Sequence, residues 1–285
     1  MRGSDDMWAA LDQELCEWGR AGRVASLWWR DDDAVADSDA LTRLLALPGA
    51  FDVPLTLAVV PRKPGASLPS LQKAIVDKPL VTPVMHGYAH VNHARHGEKQ
   101  AEFGGHRPMA QMLDELAEGL ASLTAVFEER LCAVLAPPWN RIDRSLLEYL
   151  PQLGFAGVTA FRPAPMRFPV PGLVQTNCHI DPIDWRGGRR QRPPSEVLGE
   201  LIGLLRARRL YPALQEGAEL SGKPLPSGFD PDEPAGILTH HLAHDGEGWE
   251  FLAQLLNVIE PHRKAGSARW LSCAEAFRMT RAAAG

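Results

Sequence analysis

Three consecutive carboxylates, Asp31, Asp32 and Asp33, stand at the end of a short apolar stretch that begins at Val24. Such a stretch is typical of a buried strand. Grouping like charges costs free energy unless a cation offsets them, so a run of this kind is typical of a metal site or a catalytic site. We therefore expect the end of this strand to face a cation or a reacting group.

Two imidazoles follow a second apolar run, Leu80–Met85, in the sequence HGYAH. If this segment turns helical, His86 and His90 lie on one face and can chelate one ion. Two histidines at this spacing are a weak motif when they stand alone. Together with carboxylates on another strand end, they suit a divalent transition metal with positions open for water and substrate. We expect Zn²⁺ foremost, and Co²⁺, Ni²⁺, Fe²⁺ and Mn²⁺ accept the same ligands.

Three further apolar runs also end in polar or aromatic side chains. A proline-containing turn after Leu135 presents Trp139 and Asn140, the segment Asp181–Trp185 supplies two carboxylates and an indole, and another run ends at His240. Taken singly, each is better explained by packing. Their joint occurrence at strand ends favours one functional site.

The elements that must position these residues follow from the alternation of short apolar runs with amphipathic segments. Strands are expected at Val24–Arg30, Pro54–Val60, Leu80–His86, Leu131–Ala136, Gly154–Phe161, Val174–Ile180, Gly236–His240 and Arg269–Leu271. Helices are expected at Met7–Gly19, Asp39–Leu47, Ser67–Val76, Pro108–Arg130, Arg144–Leu153, Pro194–Arg208, Trp249–Ile259 and Cys273–Ala282. This order predicts one parallel α/β domain over residues 1–285, in the form of a (β/α) barrel whose functional residues gather at the C-terminal strand ends. Irregular rim loops are expected at Val91–Arg107 and Trp185–Pro194.

Composition narrows the function further. The 285 residues are 45% hydrophobic and 23% charged, which is typical of a globular protein with a substantial core. The net charge of −5 does not favour binding to nucleic acid or to an anionic membrane. Because no apolar run is long enough to span a bilayer and acidic residues interrupt the N-terminal region, a cytoplasmic location is expected. The four cysteines form no CxxC pair, which predicts reduced thiols that mostly pack in the core. The oligomeric state does not follow from the sequence.

The order of these motifs resembles that of the polysaccharide deacetylases of carbohydrate esterase family 4, the NodB-homology group. The resemblance runs from about Ser26 to the final strand. Five segments carry it: Arg30–Ala34 (paired aspartates), His86–His90 (paired histidines), Ala136–Asn140 (proline loop), Asp181–Trp185 (Asp-x-x-Asp-Trp) and Leu238–His240 (Leu-x-His). It implies a distorted barrel of the (β/α)7 type, with seven to eight strand–helix units. It also implies metal-dependent hydrolysis of an N- or O-acyl group on a sugar.

The same resemblance implies that the first aspartate of the pair is a general base and the second a metal ligand. Three aspartates leave the register open. Asp32 as base and Asp33 as ligand is preferred, because the small Ala34 then occupies the glycine position of the family. The alternative, Asp31 as base and Asp32 as ligand, places Asp33 at that glycine position.

The other motif residues receive roles in the same way. His86 and His90 complete the metal ligands, and His240 is expected to protonate the leaving group. Asp181 is expected to act with the catalytic groups by orienting a neighbouring base, with Asp184 as the alternative for that role. The residues expected to bind substrate are Trp139, Asn140, Asp184 and Trp185, and the backbone N–H of Trp139 is expected to stabilise the oxyanion.

Two positions depart from the family pattern. Ala136 stands where an arginine is expected, and Gly87 stands where a serine or threonine is expected. Arg30, Arg141 and Arg186 are the candidates to replace the missing guanidinium. The leading hypothesis is a metal-dependent hydrolase that deacylates a small-molecule sugar or amide. The alternatives are a catalytically idle carbohydrate-binding barrel and a barrel that hydrolyses another C–N bond, such as that of a cyclic amide.

Overall fold

The computed structural model describes residues 2–215 and 229–278. The strands in these ranges are β1 (Ala25–Ala34), β2 (Leu55–Val59), β3 (Val81–Met85), β4 (Val134–Leu135), β5 (Gly157–Val158), β6 (Val174–Gln175), β7 (Ile183–Asp184), β8 (Arg190–Gln191), β9 (Ala235–Thr239) and β10 (Ala268–Leu271). The helices are α1 (Arg2–Arg20), α2 (Asp39–Phe51), α3 (Leu68–Ile75), α4 (Met109–Phe127), α5 (Pro194–Gln215), α6 (Gly246–Ala265) and α7 (Cys273–Ala276). Short 3-10 helices lie at Glu128–Arg130, Pro138–Asn140 and Arg144–Glu148.

Parallel pairing organises these strands around β1. One sheet has the order β10-β1-β2-β3-β4-β5-β6, and β9 also pairs with β1. A bridge between Ile180 and Ile237 links the segment after β6 to β9, where the Leu238 N–H donates to the Ile180 carbonyl at 2.8 Å. Because β9 returns to β1, the curved sheet closes. The predicted distorted (β/α) barrel is therefore confirmed, with β7 and β8 as a separate antiparallel pair.

The side chains of β1 alternate between the two faces of the barrel wall, as the period of a strand requires. Leu27 and Trp29 pack in the large cluster formed with the helices. Trp28 belongs instead to a second buried cluster that includes Phe277, and the two rings meet edge-on at 5.7 Å. This apolar interior lies nearer to the N-terminal strand ends than Arg30 does, so it forms a floor beneath the polar residues that follow.

The predicted elements are found with some differences. Strands lie in all eight predicted places, but β4, β5 and β6 have only two residues each. The helix predicted at Arg144–Leu153 is wrong beyond a 3-10 helix at Arg144–Glu148, because Pro151 disfavours helical backbone at the residue before it. The pair β7–β8 was not predicted, and β8 lies inside the expected rim loop at Trp185–Pro194.

Several other predictions stand as follows. The rim loop Val91–Arg107 has no helix or strand of its own. The last helix is described only as α7, and the predicted remainder from residue 279 onward lies outside the described residues. Cys132, Cys178 and Cys273 are buried thiols. Among the described helices, none is both long enough and apolar enough to cross a membrane. A single domain over residues 1–285 stays a prediction.

Candidate metal centre

The three aspartates at the end of β1 face different surroundings. Arg30 and Asp32 are two residues apart and lie on one face of the strand, whereas Asp31 lies on the other face. The pairing of β1 with β2 shifts register between Asp31 and Ala34, and Asp33 has a φ of 71°. This is a β-bulge, which re-aims a side chain that simple alternation would turn away.

Asp31 is bound by groups on the other face of β1. Thr239 Oγ1 donates to Asp31 Oδ2 at 2.6 Å, and His241 Nδ1 donates to Asp31 Oδ1 at 2.5 Å. All three residues are buried. Burial alone lowers the pKa of His241, but the Asp31 carboxylate raises it above its ordinary value. Asp31 therefore ties β1 to the end of β9.

Asp33, His86 and His90 converge on one point. Asp33 Oδ1 lies 3.3 Å from His86 Nε2 and 3.1 Å from His90 Nε2. One potential ligand atom from each residue lies within 4.8 Å of those of the other two. Burial alone raises the pKa of Asp33, but the two histidines hold it well below its usual range. The carboxylate is therefore anionic between two imidazoles.

The orientation of His86 fits a bound cation. Its Nδ1–H donates to the Ala136 carbonyl at 2.9 Å, so in the neutral ring the Nε2 lone pair faces Asp33. Asp33 Oδ1 is buried, and within the described ranges it has no hydrogen bond of acceptable geometry. An imidazole lone pair and a carboxylate oxygen aimed at one point need a cation between them. One oxygen and two nitrogen ligands suit Zn²⁺ and related divalent ions.

A buried carboxylate that the sequence analysis missed holds the segment between these histidines. Glu102, in the loop Val91–Arg107, accepts hydrogen bonds from the backbone N–H groups of Tyr88 at 2.9 Å, Ala89 at 2.8 Å and Val91 at 3.2 Å. The segment from His86 to His90 is not helical, so the helix that would place both histidines on one face is absent from it. His90 instead has a φ of 55°, and the turn around Glu102 directs it toward His86.

Gly87 has the conformation and surroundings that exclude a side chain. Its φ is 63°, and an added Cβ would meet the Glu102 carboxylate and lie 2.5 Å from the ring of Pro138. A serine or threonine at this position has no room. The departure from the family pattern at position 87 therefore has a local structural cause.

Of the three arginines expected as candidates for the guanidinium that position 136 lacks, Arg30 is the one that contacts Asp32. Its Nε lies 2.9 Å from Asp32 Oδ1, and its Nη2 donates to Asp32 Oδ2 at 3.0 Å and to Asn140 Oδ1 at 2.6 Å. Its Nη1 donates to Thr159 Oγ1 at 2.9 Å. Burial alone lowers the pKa of Arg30, but Asp32 raises it above its ordinary value, so the guanidinium is charged. Ala136 packs in the apolar interior.

His240 lies across the site from the histidine pair. Its Nε2 is 3.9 Å from Asp32 Oδ2, and its ring packs edge-on against Trp185 with centroids 4.5 Å apart. Trp185 Nε1 donates to Asp181 Oδ2 at 2.7 Å, and the Ile183 N–H donates to Asp181 Oδ1 at 2.9 Å. Burial raises the pKa of Asp181, against the effect of His240. Asp181 therefore fixes the indole that flanks His240.

Comparison with known proteins identifies the fold that contains this site. Neither a protein-family model nor a curated protein matches the sequence. A candidate polysaccharide deacetylase from Mycobacterium smegmatis is 15% identical, with a TM-score of 0.54 over 90% of each chain. PdaA of Bacillus subtilis, a family 4 carbohydrate esterase, is 14% identical, with a TM-score of 0.50 over 90% of this chain and 81% of that one. A mutant CE4 family pseudoenzyme with restored enzymatic activity is 17% identical, with a TM-score of 0.52 over 91% and 70%.

The chain has the polysaccharide deacetylase fold. In this fold the five motif segments of the sequence lie at or just after β1, β3, β4, the segment that follows β6, and β9. The distances given above show that the fold brings five of the predicted site residues together: Asp32, Asp33, His86, His90 and His240.

Four of the nine non-glycine residues with positive φ in the described part of the chain lie at the same end of this polysaccharide deacetylase fold. Asp33, His90, Trp139 and Asn140 all have positive φ values, of 71°, 55°, 55° and 57°. Each such conformation costs free energy and persists only where the surroundings over-determine it. The Trp139 ring lies 4.4 Å from the His90 ring, and Asn140 is held by Arg30. The other five such residues lie outside the motif segments, at Asp52, Glu128, Arg162, Arg189 and Arg278, so this strain accompanies the site and is not confined to it.

The remaining candidates have local roles in the fold. Asp184 Oδ1 accepts hydrogen bonds from the backbone N–H groups of Arg186 at 3.1 Å and Gly187 at 2.8 Å, so it caps the turn between β7 and β8. Arg141 donates to the Gln100 carbonyl and, like Arg186, is exposed. Binding of substrate by Asp184 stays a prediction.

Proposed function

We propose that this chain is a metal-dependent hydrolase that removes an acyl group from a small-molecule sugar or a related amide or ester. The observation that carries the proposal is the convergence of Asp33, His86 and His90 beside a carboxylate, Asp32, that a buried arginine orients. The polysaccharide deacetylase fold supports the same reaction class, because its solved members include a deacetylase candidate and an esterase.

Asp33, His86 and His90 would hold the divalent ion, with Zn²⁺ foremost. An ion held there would lower the pKa of a water molecule and would polarise the acyl oxygen of the substrate. Asp32 acts as general base and takes the proton of the attacking water. Arg30 contacts both oxygens of Asp32, and so the carboxylate keeps one orientation during the transfer.

His240 gives a proton to the leaving amine or alkoxide. The 3.9 Å between His240 Nε2 and Asp32 Oδ2 puts the acid and the base within reach of one reacting centre. Trp185 packs against the imidazole and Asp181 holds Trp185, which together limit the rotation of the ring. The backbone N–H of Trp139 meets the negative charge that develops on the acyl oxygen.

Aromatic and amide side chains around this centre bind the substrate. Trp185 is 42% exposed, with the Arg189 guanidinium 6.0 Å from its ring centroid, so the exposed part of the indole can pack against a sugar ring. Trp139 and Asn140 border the metal ligands, and Asp184 lies at the entrance of the β7–β8 turn. These aromatic and amide side chains favour a sugar ring as the part of the substrate that they bind.

The test combines metal loading with matched variants. Purified protein is loaded with Zn²⁺, Co²⁺ or Ni²⁺ in turn, and acetate release is measured on a panel of N-acetyl and O-acetyl sugars. Asp32→Asn should retain the metal and turn over about 10²–10⁴-fold more slowly. His86→Ala should lose the metal, and Asp37→Asn, which changes an exposed carboxylate near the same strand, should behave as wild type. Metal-loaded protein that is inert on the whole panel would contradict the proposal.

A catalytically idle carbohydrate-binding barrel is the second candidate. A pseudoenzyme with the same fold and the alanine at position 136 favour it. Sugar binding that survives both chelation and Asp32→Asn, without turnover, would support this function over hydrolysis. Cyclic ureides screened beside the acetyl sugars test the third candidate, hydrolysis of a cyclic amide.

A further inference from the structure

A second cluster of metal-binding side chains lies between two helices on the outside of the barrel. Asp12 and Cys16 are four residues apart and share one face of α1, which packs against α6. His262 projects from the last turn of α6. One potential ligand atom of each residue lies within 4.8 Å of those of the other two. This cluster shares no residue with the centre at the strand ends.

His262 is buried, and its two nitrogens are both engaged. Nε2 lies 2.9 Å from Asp12 Oδ1, and Nδ1 lies 3.2 Å from Ser267 Oγ. The Ser267 hydroxyl donates to the His262 carbonyl at 3.4 Å, so the hydroxyl oxygen accepts the hydrogen on Nδ1. In the neutral ring Nε2 then presents a lone pair to a carboxylate oxygen. Two lone pairs at this distance require a cation between them, either a proton or a metal ion.

Cys16 favours a metal ion over a proton. A proton shared by His262 and Asp12 does not explain why the sulfur of Cys16 lies within 4.8 Å of both ligand atoms. A thiolate, an imidazole and a carboxylate are together a typical ligand set for Zn²⁺. The C-terminal end of α6 carries a partial negative charge that also attracts a cation. The Asp12 side chain is 58% exposed, so a water molecule can reach a fourth position.

We propose that Asp12, Cys16 and His262 bind a divalent cation that prefers thiolate ligands, with Zn²⁺ as the best match, and that this ion fastens α1 to α6. On binding, the Cys16 thiol releases its proton to solvent and His262 coordinates through Nε2 as a neutral imidazole. Ser267 orients the ring from the other nitrogen. The site is structural, and it is independent of the hydrolase reaction proposed above.

Cobalt distinguishes the two centres because only one of them contains a thiol. Co²⁺ is titrated into the metal-free full-length protein, and the near-ultraviolet absorption is followed for thiolate-to-cobalt charge transfer. We expect this band in wild type and in His86→Ala, and its loss in Cys16→Ser and Asp12→Asn. Ser267→Ala should weaken Co²⁺ binding at this site by about tenfold, because it removes the partner of Nδ1.

A second measurement follows the helix packing. In the His86→Ala background, Zn²⁺ should raise the melting temperature, and Cys16→Ser should abolish this shift. The proposal is overturned if no charge-transfer band forms, or if the band persists in Cys16→Ser and so arises from another cysteine. Asp12→Asn changes an exposed side chain, which keeps the test decisive even if Cys16→Ser folds poorly.

Discussion

At the scale of single residues, the ion pair between Arg30 and Asp32 has no access to solvent. The exposed fractions of the two side chains are 0% and 1%, so each charge depends on the other for compensation. Removing one partner of a buried pair leaves an isolated charge in a medium of low polarity. Loss of either partner alone is therefore expected to destabilise the fold and to release the carboxylate of Asp32 from its fixed orientation.

Replacing Arg30 should destabilise the whole protein. We expect Arg30→Met to lower the free energy of unfolding by roughly 3–5 kcal/mol, because Asp32 loses its counter-charge inside the barrel. Urea denaturation followed by tryptophan fluorescence measures the change. The double variant Arg30→Met with Asp32→Leu should recover part of the loss. Arg20→Met, which removes an exposed arginine paired with Glu17, should have no measurable effect.

Substitution of Gly87, compared with the same substitution at Gly65, separates the cost of close packing from the cost of backbone strain. Gly87→Ala and Gly65→Ala both place a Cβ on a residue with positive φ, of 63° and 82°, and each should cost about 1–2 kcal/mol for that conformation. An added Cβ at Gly65 meets nothing within 4 Å, whereas one at Gly87 meets Glu102 and Pro138. We expect the unfolding free energy and the Zn²⁺ affinity to fall further in Gly87→Ala. Equal losses in the two variants would contradict the packing argument.

At the scale of elements, the sequence predicts where strands begin and which strand ends carry polar groups. The direction of each side chain depends on interactions that the sequence pattern does not contain. A bulge between β1 and β2 separates Asp31 from Asp33, and it arises from pairing with another strand. Spacing alone does not choose between the two registers of the three aspartates, because they differ by one residue. In the folded chain the bulge brings Asp33 beside the two histidines, which favours the register with Asp33 as ligand.

The same limit explains the residues that sequence analysis missed. Glu102 lies in a polar loop where a carboxylate is ordinary, and only the folded chain brings it under the turn at Tyr88–Val91. Arg30, in contrast, is not missed, because it is one of the three candidates that the sequence offers for the guanidinium that position 136 lacks. Its position two residues before Asp32 on a strand was the available signal, since residues at that spacing share a face.

The turn around Glu102 should control metal affinity. Glu102→Ala removes the acceptor of three backbone hydrogen bonds, so His90 loses its fixed direction. We expect Zn²⁺ affinity at the Asp33 site to fall about 10–100-fold, as for other groups that orient metal ligands. Isothermal titration with Zn²⁺ in the Cys16→Ser background measures this site alone. Glu98→Gln, an exposed change in the same loop, is the control and should bind Zn²⁺ as wild type does.

At the scale of the whole molecule, closure of the barrel joins the two halves of the site. The proposed metal ligands come from the first two motif segments, and His240 follows the end of β9. Asp31 crosses the junction through Thr239 and His241, while the bridge from Ile180 to Ile237 completes the ring. Any change that opens this junction separates Asp32, the proposed base, from His240, the proposed acid.

Acid should destabilise the closed molecule through His244, which follows that junction. Burial lowers the pKa of His244 to about 4, and within the described part of the chain neither of its ring nitrogens has a hydrogen-bond partner. The unfolded chain binds the proton at a higher pH, with a pKa of about 6.5. The contribution of neutral His244 to the free energy of unfolding is therefore intact above about pH 6.5 and is lost as the pH falls from about 6.5 to 4.

A neutral variant isolates this contribution from the other histidines. Burial also lowers the pKa of His179, whereas the neighbouring aspartates raise those of His86 and His241, so the wild-type profile contains effects of both signs. Between pH 7 and pH 5, wild type should lose about 2 kcal/mol more unfolding free energy than His244→Asn, which has no proton to bind at this position. Urea denaturation at the two pH values gives the difference directly. Parallel losses in the two proteins would mean that His244 takes up its proton without unfolding, and that its surroundings admit water.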